Sequence, residues 1–475
     1  MSKFFNKLEQ LVASSTDDPH LESAADVLQD AGCSTASIAV LDNGEIISHC
    51  ISSCGDDTDT LFQACSISKP TAGVAAMRLV DLGFFSVEDC IRDLLPNEIV
   101  KLLARDPRTE AAFNAVTVAH LMSHTAGLSV PSFPGYSDAN HVPTVNQLLQ
   151  GRENSNTMRI QFCSVPGADF IYSGGGITIL QCLMEHATKM SFPALMQKHV
   201  FEPLGMTRSC YTLKAGENAT RCFWNGYKEC EAQWHYQPES GAAGLWTTPT
   251  DLLKLGRGVQ KSLTGDGILR KATAERMLTR VTKDIALTWF VNSIGFGHSG
   301  GNFPGFRCQL IAYADLPQNG SSEPKPQIPQ DCGMTVMTNS ASANPAMWKL
   351  LHAISYLKSW PEIPLFFMAA DYKAPFRSLE TGYADSWKEW IGWWGKWQIA
   401  ECSGMPVAGV DGVLLNLRPA AIPARHYGGG QQSIDLLLDG TEQMLRLGFD
   451  GVKRIVELWN GSMGTCETLK AITYA

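Results

Sequence analysis

Short apolar blocks bounded by turn-forming residues recur along this chain, and two of them frame its first predictable unit. Ala36-Ser37-Ile38-Ala39-Val40-Leu41 and Glu45-Ile46-Ile47-Ser48 are β-prone runs on either side of Asp42-Asn43-Gly44. Asn and Gly accept the positive φ angles of a tight turn at little cost, so the pattern predicts a hairpin. From Thr71 to Leu82 the spacing changes to a helical one, carried by Val74, Met77, Leu79 and Val80, with Gly83 as the stop. Further on, Gly295 to Gly301 and the apolar run Arg307 to Tyr313 read as strands, and Pro345 to Lys358 reads as an amphipathic helix.

Beyond that helix and the proline-rich Trp360-Pro361-Glu362-Ile363-Pro364 the texture changes. A stretch holding Trp387, Trp390, Trp393, Trp394 and Trp397 leads into short apolar runs at Val413–Leu417, Ile434–Leu438, Met444–Phe449 and Arg454–Trp459. Asp439-Gly440, Asp450-Gly451 and Asn460-Gly461 punctuate them, and such pairs favour two-residue hairpins. A chain of 475 residues exceeds the usual size of one hydrophobic core. We therefore expect two domains, residues 1–375 and 386–475, the second an antiparallel β meander or a small lipocalin-like barrel. That second domain is expected to serve either as scaffold or dimer surface, or as a wall or lid of the first. Pro317 to Gln330, rich in Ser and Pro, is expected to be an exposed loop between two strands.

Composition removes several function classes. The formal charge of −9, without a basic run, argues against nucleic-acid binding. No apolar run approaches the length of a membrane span, and Met1 to Val12 carries Lys3, Lys7 and Glu9 in place of a continuous apolar stretch. The fourteen cysteines show no tight metal spacing and fit reduced thiols. Together these features predict a soluble cytoplasmic protein.

Chemistry enters with Ala64-Cys65-Ser66-Ile67-Ser68-Lys69-Pro70. Residues three apart share a helix face, so Lys69 can lie beside the Ser66 hydroxyl and activate it as a nucleophile. Pro70 suits a first helical turn, which places Ser66 near a helix N-terminus where free N–H groups favour developing negative charge. The same Ser-x-x-Lys spacing at Ser322/Lys325 falls in a proline-broken loop, and at Ser355/Lys358 it ends an amphipathic helix with no glycine-rich strand after it.

Gly295-Phe296-Gly297-His298-Ser299-Gly300-Gly301 supports two incompatible mechanisms. As Gly-x-Ser-x-Gly it would make Ser299 a nucleophile on a strand-to-helix turn, but Asn302-Phe303-Pro304-Gly305-Phe306 is unfit to start a helix. As His-x-Gly on a strand end it would bring glycine backbone against a substrate and offer N–H groups to an oxyanion.

With Ser66/Lys69 and His298-x-Gly300 in place, the chain resembles the serine β-lactamase, penicillin-binding protein and esterase superfamily, specifically its class C β-lactamase-like branch that includes fungal transesterases. Asp81 to Asp89, Thr117 to Leu128, Phe201 to Thr207 and Gly241 to Asp251 are similar to further segments of that branch in the same order, so the likeness covers residues from about 30 to 355. It implies an antiparallel sheet flanked by helices with an all-helical lobe, and no cofactor or metal. It also implies an acyl-Ser66 intermediate, with Lys69 or Tyr172 as the general base, His298 orienting the tyrosine or binding an acid group on the substrate, and main-chain N–H groups of Ser66 and Gly301 as the oxyanion hole. Free Tyr and Lys both titrate near pH 10, so either base needs a large downward shift. Residues Trp246, Phe296, Gly300, Phe303 and Phe306 are candidate substrate contacts, with core packing the alternative for the aromatic ones.

One departure matters. The family's Tyr-x-Asn corresponds here to Tyr172-Ser173-Gly174, so the amide is missing. An acceptor buried without that donor costs about 1–3 kcal/mol, which disfavours amide-bearing β-lactams and favours ester-type donors. The expected activity is acyl transfer from a small-molecule ester or thioester to water, an alcohol or an amine, in secondary-metabolite biosynthesis by likeness to the transesterases. A carrier-bound acyl thioester is a possible donor. Amide hydrolysis, peptide cyclisation from a carrier thioester and a catalytically silent binding protein are the alternatives. His120 and His124, four apart, mimic a metal pair but lack the Glu of a His-Glu-x-x-His pattern, and the resemblance makes their segment scaffold.

Overall fold

The computed structural model describes residues 2–14, 23–105, 107–152, 155–157, 159–224, 228–229, 232–282, 284–302, 304–316, 327–361, 363, 391–394, 397–402, 405–410, 413–419, 434–438, 443–450, 453–460 and 465–469. Phe303, Ser322, Lys325, Trp387, Trp390 and most of the Pro317 to Gln330 insert lie outside them. The chain divides into two compact units, 1–367 and 368–475.

The first unit is built on a six-stranded antiparallel sheet. Its strands are β1 (Thr35–Asp42), β2 (Glu45–Ser52), β3 (Phe290–Val291), β4 (Gly295–Asn302), β5 (Phe306–Tyr313) and β6 (Gly333–Thr338), in spatial order β2-β1-β6-β5-β4-β3. The β1–β2 hairpin closes with Asp42 opposite Glu45, and Asn43 and Gly44 take φ of 49° and 85°, the left-handed turn that their sequence predicts. Ala36, Ile38 and Val40 point to one face and Ala39 and Leu41 to the other. β5 repeats the division, with Ile311 and Tyr313 on the first face and Leu310 and Ala312 on the second. Both faces are covered, so the central strands are buried at nearly every position, polar residues such as Ser37, Gln309 and Thr335 included.

Five helices explain that cover and carry the site: α1 (Ser2–Ser14), α2 (Ser68–Asp81), α3 (Gly174–Thr188), α4 (Pro249–Thr264) and α5 (Asn344–Lys358). α1 and α5 bury Phe5, Leu8, Val12, Leu350, Leu351 and Ile354 in the cluster on the first face. On the second face α4 contributes Leu252, Leu253 and Val259, and the same cluster continues through α2 and α3 into the helical lobe. α2 begins at Ser68, earlier than the apolar spacing marks, because a 3₁₀ turn at Cys65–Ile67 feeds directly into it and Pro70 needs no N–H partner in its first turn. None of the described helices is long and apolar enough to cross a membrane.

The second unit carries eight strands, β7 (Gly392–Trp394), β8 (Trp397–Cys402), β9 (Met405–Val410), β10 (Val413–Pro419), β11 (Ile434–Leu438), β12 (Gln443–Asp450), β13 (Lys453–Asn460) and β14 (Thr465–Leu469). Each pairs antiparallel with the next, which is a meander; among the described residues no pairing of β14 with β7 closes it into a barrel.

Ile38 lies wholly buried on β1, between β2 and β6. Ile38→Ala is expected to lower unfolding stability by about 2–5 kcal/mol in a denaturant titration. Ile47→Ala, on the partly exposed edge strand β2, is expected to cost less.

Candidate active site

Ser66 sits in the 3₁₀ turn, half-buried, with the residue before it held in an unusual conformation. Cys65 has φ of 52°, which a side-chain-bearing residue adopts only when its surroundings impose it. Those surroundings are hydrogen bonds from the neighbouring segment. Phe62–Gln63 pairs with Trp246–Thr247, the Ala64 N–H donates to the Leu245 carbonyl (2.8 Å), and the Leu245 N–H donates to Ser68 Oγ (3.1 Å). Asn302, at the end of β4, donates to Gln63 Oε1 (2.7 Å) and the Ala243 carbonyl (3.0 Å), tying the sheet edge to both.

Helical spacing then brings Lys69 back over Ser66. Its Nζ lies 2.9 Å from Ser66 Oγ and donates at 2.9 Å to the Ala242 carbonyl, and the residue is only 1% exposed. The same amine stands 5.0 Å from the centre of the Tyr172 ring. Tyr172, 6% exposed, immediately precedes Ser173, whose hydroxyl caps α3 by accepting from the Gly176 N–H (2.9 Å). The site thus gathers the start of α2, the entry to α3 and one sheet edge.

Two imidazoles pack around the tyrosine. His298, on β4, has its ring centre 6.4 Å from that of Tyr172, is wholly buried, and donates from Nδ1 to the Ser299 carbonyl. Burial first, and the charge of Lys69 second, push its imidazole down to about 3. Its ring stands near Tyr172, a placement that suits the orienting role expected of it. His124 stands nearer, at 4.4 Å between ring centres, and its Nδ1 accepts from the Ser173 N–H (3.1 Å). Burial, Lys69 and His298 hold it well below its ordinary value. His120, by contrast, accepts from the Thr117 N–H at a helix start. The two histidines therefore serve different ends, and His124, expected to be scaffold, is a member of the site. Glu239 is a second residue that sequence reasoning missed: it is wholly buried, and desolvation raises its carboxyl to about 8 against the opposing pull of its own main-chain N–H and, after that, the charge of Lys69.

β4 closes the other side. An added Cβ at Gly300 would lie 2.5 Å from Cys308 Sγ, 2.7 Å from the Ala64 oxygen and 2.9 Å from Cys65 Cβ, so only glycine lets the strand press on the serine turn. Ser299 lies mid-strand, not on a strand-to-helix turn, which removes the nucleophile-elbow reading. Ser355 and Lys358 are spent elsewhere, on the Pro361 carbonyl (2.9 Å) and on Asp42 (2.6 Å). Of the aromatic candidates, Phe296 packs edge-on against Trp289 and Phe306 against Trp246, and both are wholly buried. They are core residues, not an open pocket wall. Trp246 lies beside the serine segment through its pairing with Gln63. Among the described residues no group of three or more His, Cys, Asp or Glu side chains could hold a metal ion.

The sequence profile described as Beta-lactamase matches residues 9–354. The chain belongs to the beta-lactamase family. Its similar proteins include penicillin-binding protein 4* of Bacillus subtilis, 25% identical over 285 residues that cover 54% of this chain and 59% of that one. Acyltransferase mokF of Monascus pilosus is 24% identical over 243 residues, 46% of this chain and 57% of its own. Esterase EstB of Burkholderia gladioli is 27% identical over 158 residues, 32% and 38%. The chain spans less than two thirds of each of these relatives. The fold is shared with the octameric penicillin-binding protein homologue from Pyrococcus abyssi (TM-score 0.56, 16% identity, 98% of this chain and 100% of that one). It is also shared with a beta-lactamase/D-alanine carboxypeptidase from Pseudomonas syringae (0.55, 18%, 74% and 98%).

Within this beta-lactamase-family chain the missing amide has a steric cause. A Cβ on Gly174 would lie 2.6 Å from Phe133 Cε2 and 3.0 Å from the Pro131 oxygen, and one on Gly175 would lie 2.6 Å from Ile160 Cδ1. Phe133 occupies the space next to the backbone where a side chain would start. Gly174→Asn is therefore expected to destabilise the protein by about 1–3 kcal/mol. In a double-mutant unfolding cycle with Phe133→Ala, the two changes should couple by about 0.5 kcal/mol or more; strict additivity would contradict the contact.

Proposed function

We propose that this protein is a serine-dependent acyl hydrolase or acyltransferase acting on a small-molecule ester or thioester. The observation that carries the reading is the buried Lys69 amine 2.9 Å from Ser66 Oγ, with Tyr172 against the same amine. With Lys69 first deprotonated to the free amine, Ser66 Oγ attacks the donor carbonyl carbon while its proton passes to that amine, the group in direct contact. The carbon–oxygen or carbon–sulfur bond then breaks, and the leaving alkoxide or thiolate takes that proton. Water, an alcohol or an amine repeats the attack on the acyl-serine and regenerates Ser66.

Charge that builds on the carbonyl oxygen is met by the main-chain N–H groups of Ser66 and Gly301, which suit that role because β4 presses on the serine turn at Gly300. Losing one such donor typically costs about a hundredfold or more in rate. His298 and His124, both neutral, orient Tyr172 rather than bind charge. The choice of ester or thioester over a β-lactam rests on Gly174, which carries no side-chain amide and packs against Phe133, and on relatives named as an acyltransferase and an esterase.

Intact-protein mass after exposure to p-nitrophenyl butyrate, an acyl thioester and penicillin is the test. The expected result is an acyl adduct from ester or thioester, absent in Ser66→Ala, with little or none from penicillin. Addition of alcohols and amines then separates transfer from hydrolysis. An adduct from penicillin alone would overturn the substrate class, and no adduct from any donor would favour a non-catalytic binding protein.

A further inference from the structure

His124 is bound to the main chain on both sides of Tyr172. Its carbonyl accepts from the Ile171 N–H (2.8 Å), and its Nδ1 accepts from the Ser173 N–H (3.1 Å). Its ring lies 4.4 Å from the tyrosine ring, centre to centre, and the Phe170 ring meets it edge-on at 6.0 Å. One residue thus holds the residue before the tyrosine, the residue after it and the ring itself. A main-chain N–H can only donate, so Nδ1 is the lone-pair nitrogen and the ring hydrogen sits on Nε2.

The clamp is itself held in place. His124 takes φ of 57°, a left-handed conformation that turns the chain away from the short helix Val118–Met122. Beyond it the Thr125 carbonyl accepts from the Gly167 N–H (2.7 Å) and the Gly127 carbonyl from the Cys163 N–H (2.8 Å). His124 is 1% exposed and Ser173 3%, so bulk water does not compete for the bond between them. Ser173 also opens α3, its hydroxyl donating to the Ser129 carbonyl (2.8 Å). The ring placed by these bonds is the one that stands 5.0 Å from Lys69 Nζ, and that amine is 2.9 Å from Ser66 Oγ. His298 meets the same ring from β4 at a longer distance, 6.4 Å.

We propose that His124 is a positioning residue: through its Nδ1 lone pair it sets the main chain from which Tyr172 meets the Lys69 amine, and so the rate at which Ser66 is acylated. This rests on the acyl-serine reading above. The effect of His124 reaches Ser66 through Tyr172 and Lys69. Removing its acceptor leaves the Ser173 N–H buried without a partner, and the chain at Tyr172 moves to satisfy it. A misplacement of about 1 Å near a reacting group costs up to about a hundredfold in rate.

The test is the second-order rate of Ser66 labelling by a fluorophosphonate in His124→Gly and His124→Asn, with melting temperatures monitored. Gly and Asn both tolerate the left-handed φ, and of the two only Asn carries an oxygen that can stand in for Nδ1. His124→Gly should react about tenfold to a hundredfold more slowly than wild type, and His124→Asn should recover at least half of that loss on a logarithmic scale. His124→Gln, whose oxygen reaches the place of Nε2 instead, replaces the glycine variant if that one does not fold. Tyr172→Leu supplies the second arm, since it removes the ring that His124 positions. In that background His124→Gly should slow labelling by no more than about threefold. If Tyr172→Leu leaves no measurable labelling, the contrast between Asn and Gly decides alone. A wild-type rate in His124→Gly, an Asn variant as slow as the Gly variant, or an undiminished loss in the Tyr172→Leu background overturns the inference and leaves the acyl-serine reading standing. No labelling of wild-type Ser66 overturns that reading and the inference with it.

Discussion

A lysine amine withdrawn from water beside a serine hydroxyl is the constraint around which the first unit is arranged. Solvation lost by Lys69 is replaced by the Ala242 carbonyl, the Ser66 oxygen and the face of the Tyr172 ring. Each of those groups comes from a different element, so the amine is satisfied only when α2, the entry to α3, and the turn at Ser240–Ala243 are all in place. The cross-ties at Asn302, Ser68 and Gln181 hold those elements together, and Gly300 lets β4 join them. The strain at Cys65 belongs to the same arrangement, since the serine turn is bent to meet its neighbours.

What could be read in advance follows the range of the interactions. The β1–β2 hairpin was legible because its turn chemistry, Asn43-Gly44, is local, and β10 to β13 of the second unit because Asp-Gly and Asn-Gly steps punctuate that stretch; β7, β8, β9 and β14 were not read as strands. Pro70 marked the first turn of α2, but the 3₁₀ turn ahead of it was not legible, because it is imposed by pairing with Leu245 and Trp246, far away in sequence. α1 was not legible, because its apolar stripe of Phe5, Leu8 and Val12 is short and its meaning comes from α5.

The site shows the same division. Ser66, Lys69, Tyr172 and His298 were found by spacing and resemblance, and the fold brings them together. For Phe296 and Phe306 the sequence leaves cleft and core as alternatives, because an aromatic residue near a glycine-rich strand looks alike in sequence in either place, and both are buried. Glu239 was invisible because burial, the property that makes a carboxyl unusual, is a tertiary fact. His124 had a signal, its place in Ser123-His124-Thr125-Ala126-Gly127, but the family resemblance makes that segment scaffold. The loss of the family amide at Gly174 was visible, and its cause, Phe133 lying forty-one positions earlier, was not.

The central claim is that Lys69 activates Ser66. Its most direct test is the second-order rate of Ser66 phosphonylation by a fluorophosphonate in wild type and in Lys69→Met, with melting temperature monitored in parallel. A loss of about a hundredfold to ten-thousandfold in a variant that remains folded is the result this account predicts. An unchanged rate would contradict it, and would mean that Ser66 draws its reactivity from a group other than Lys69.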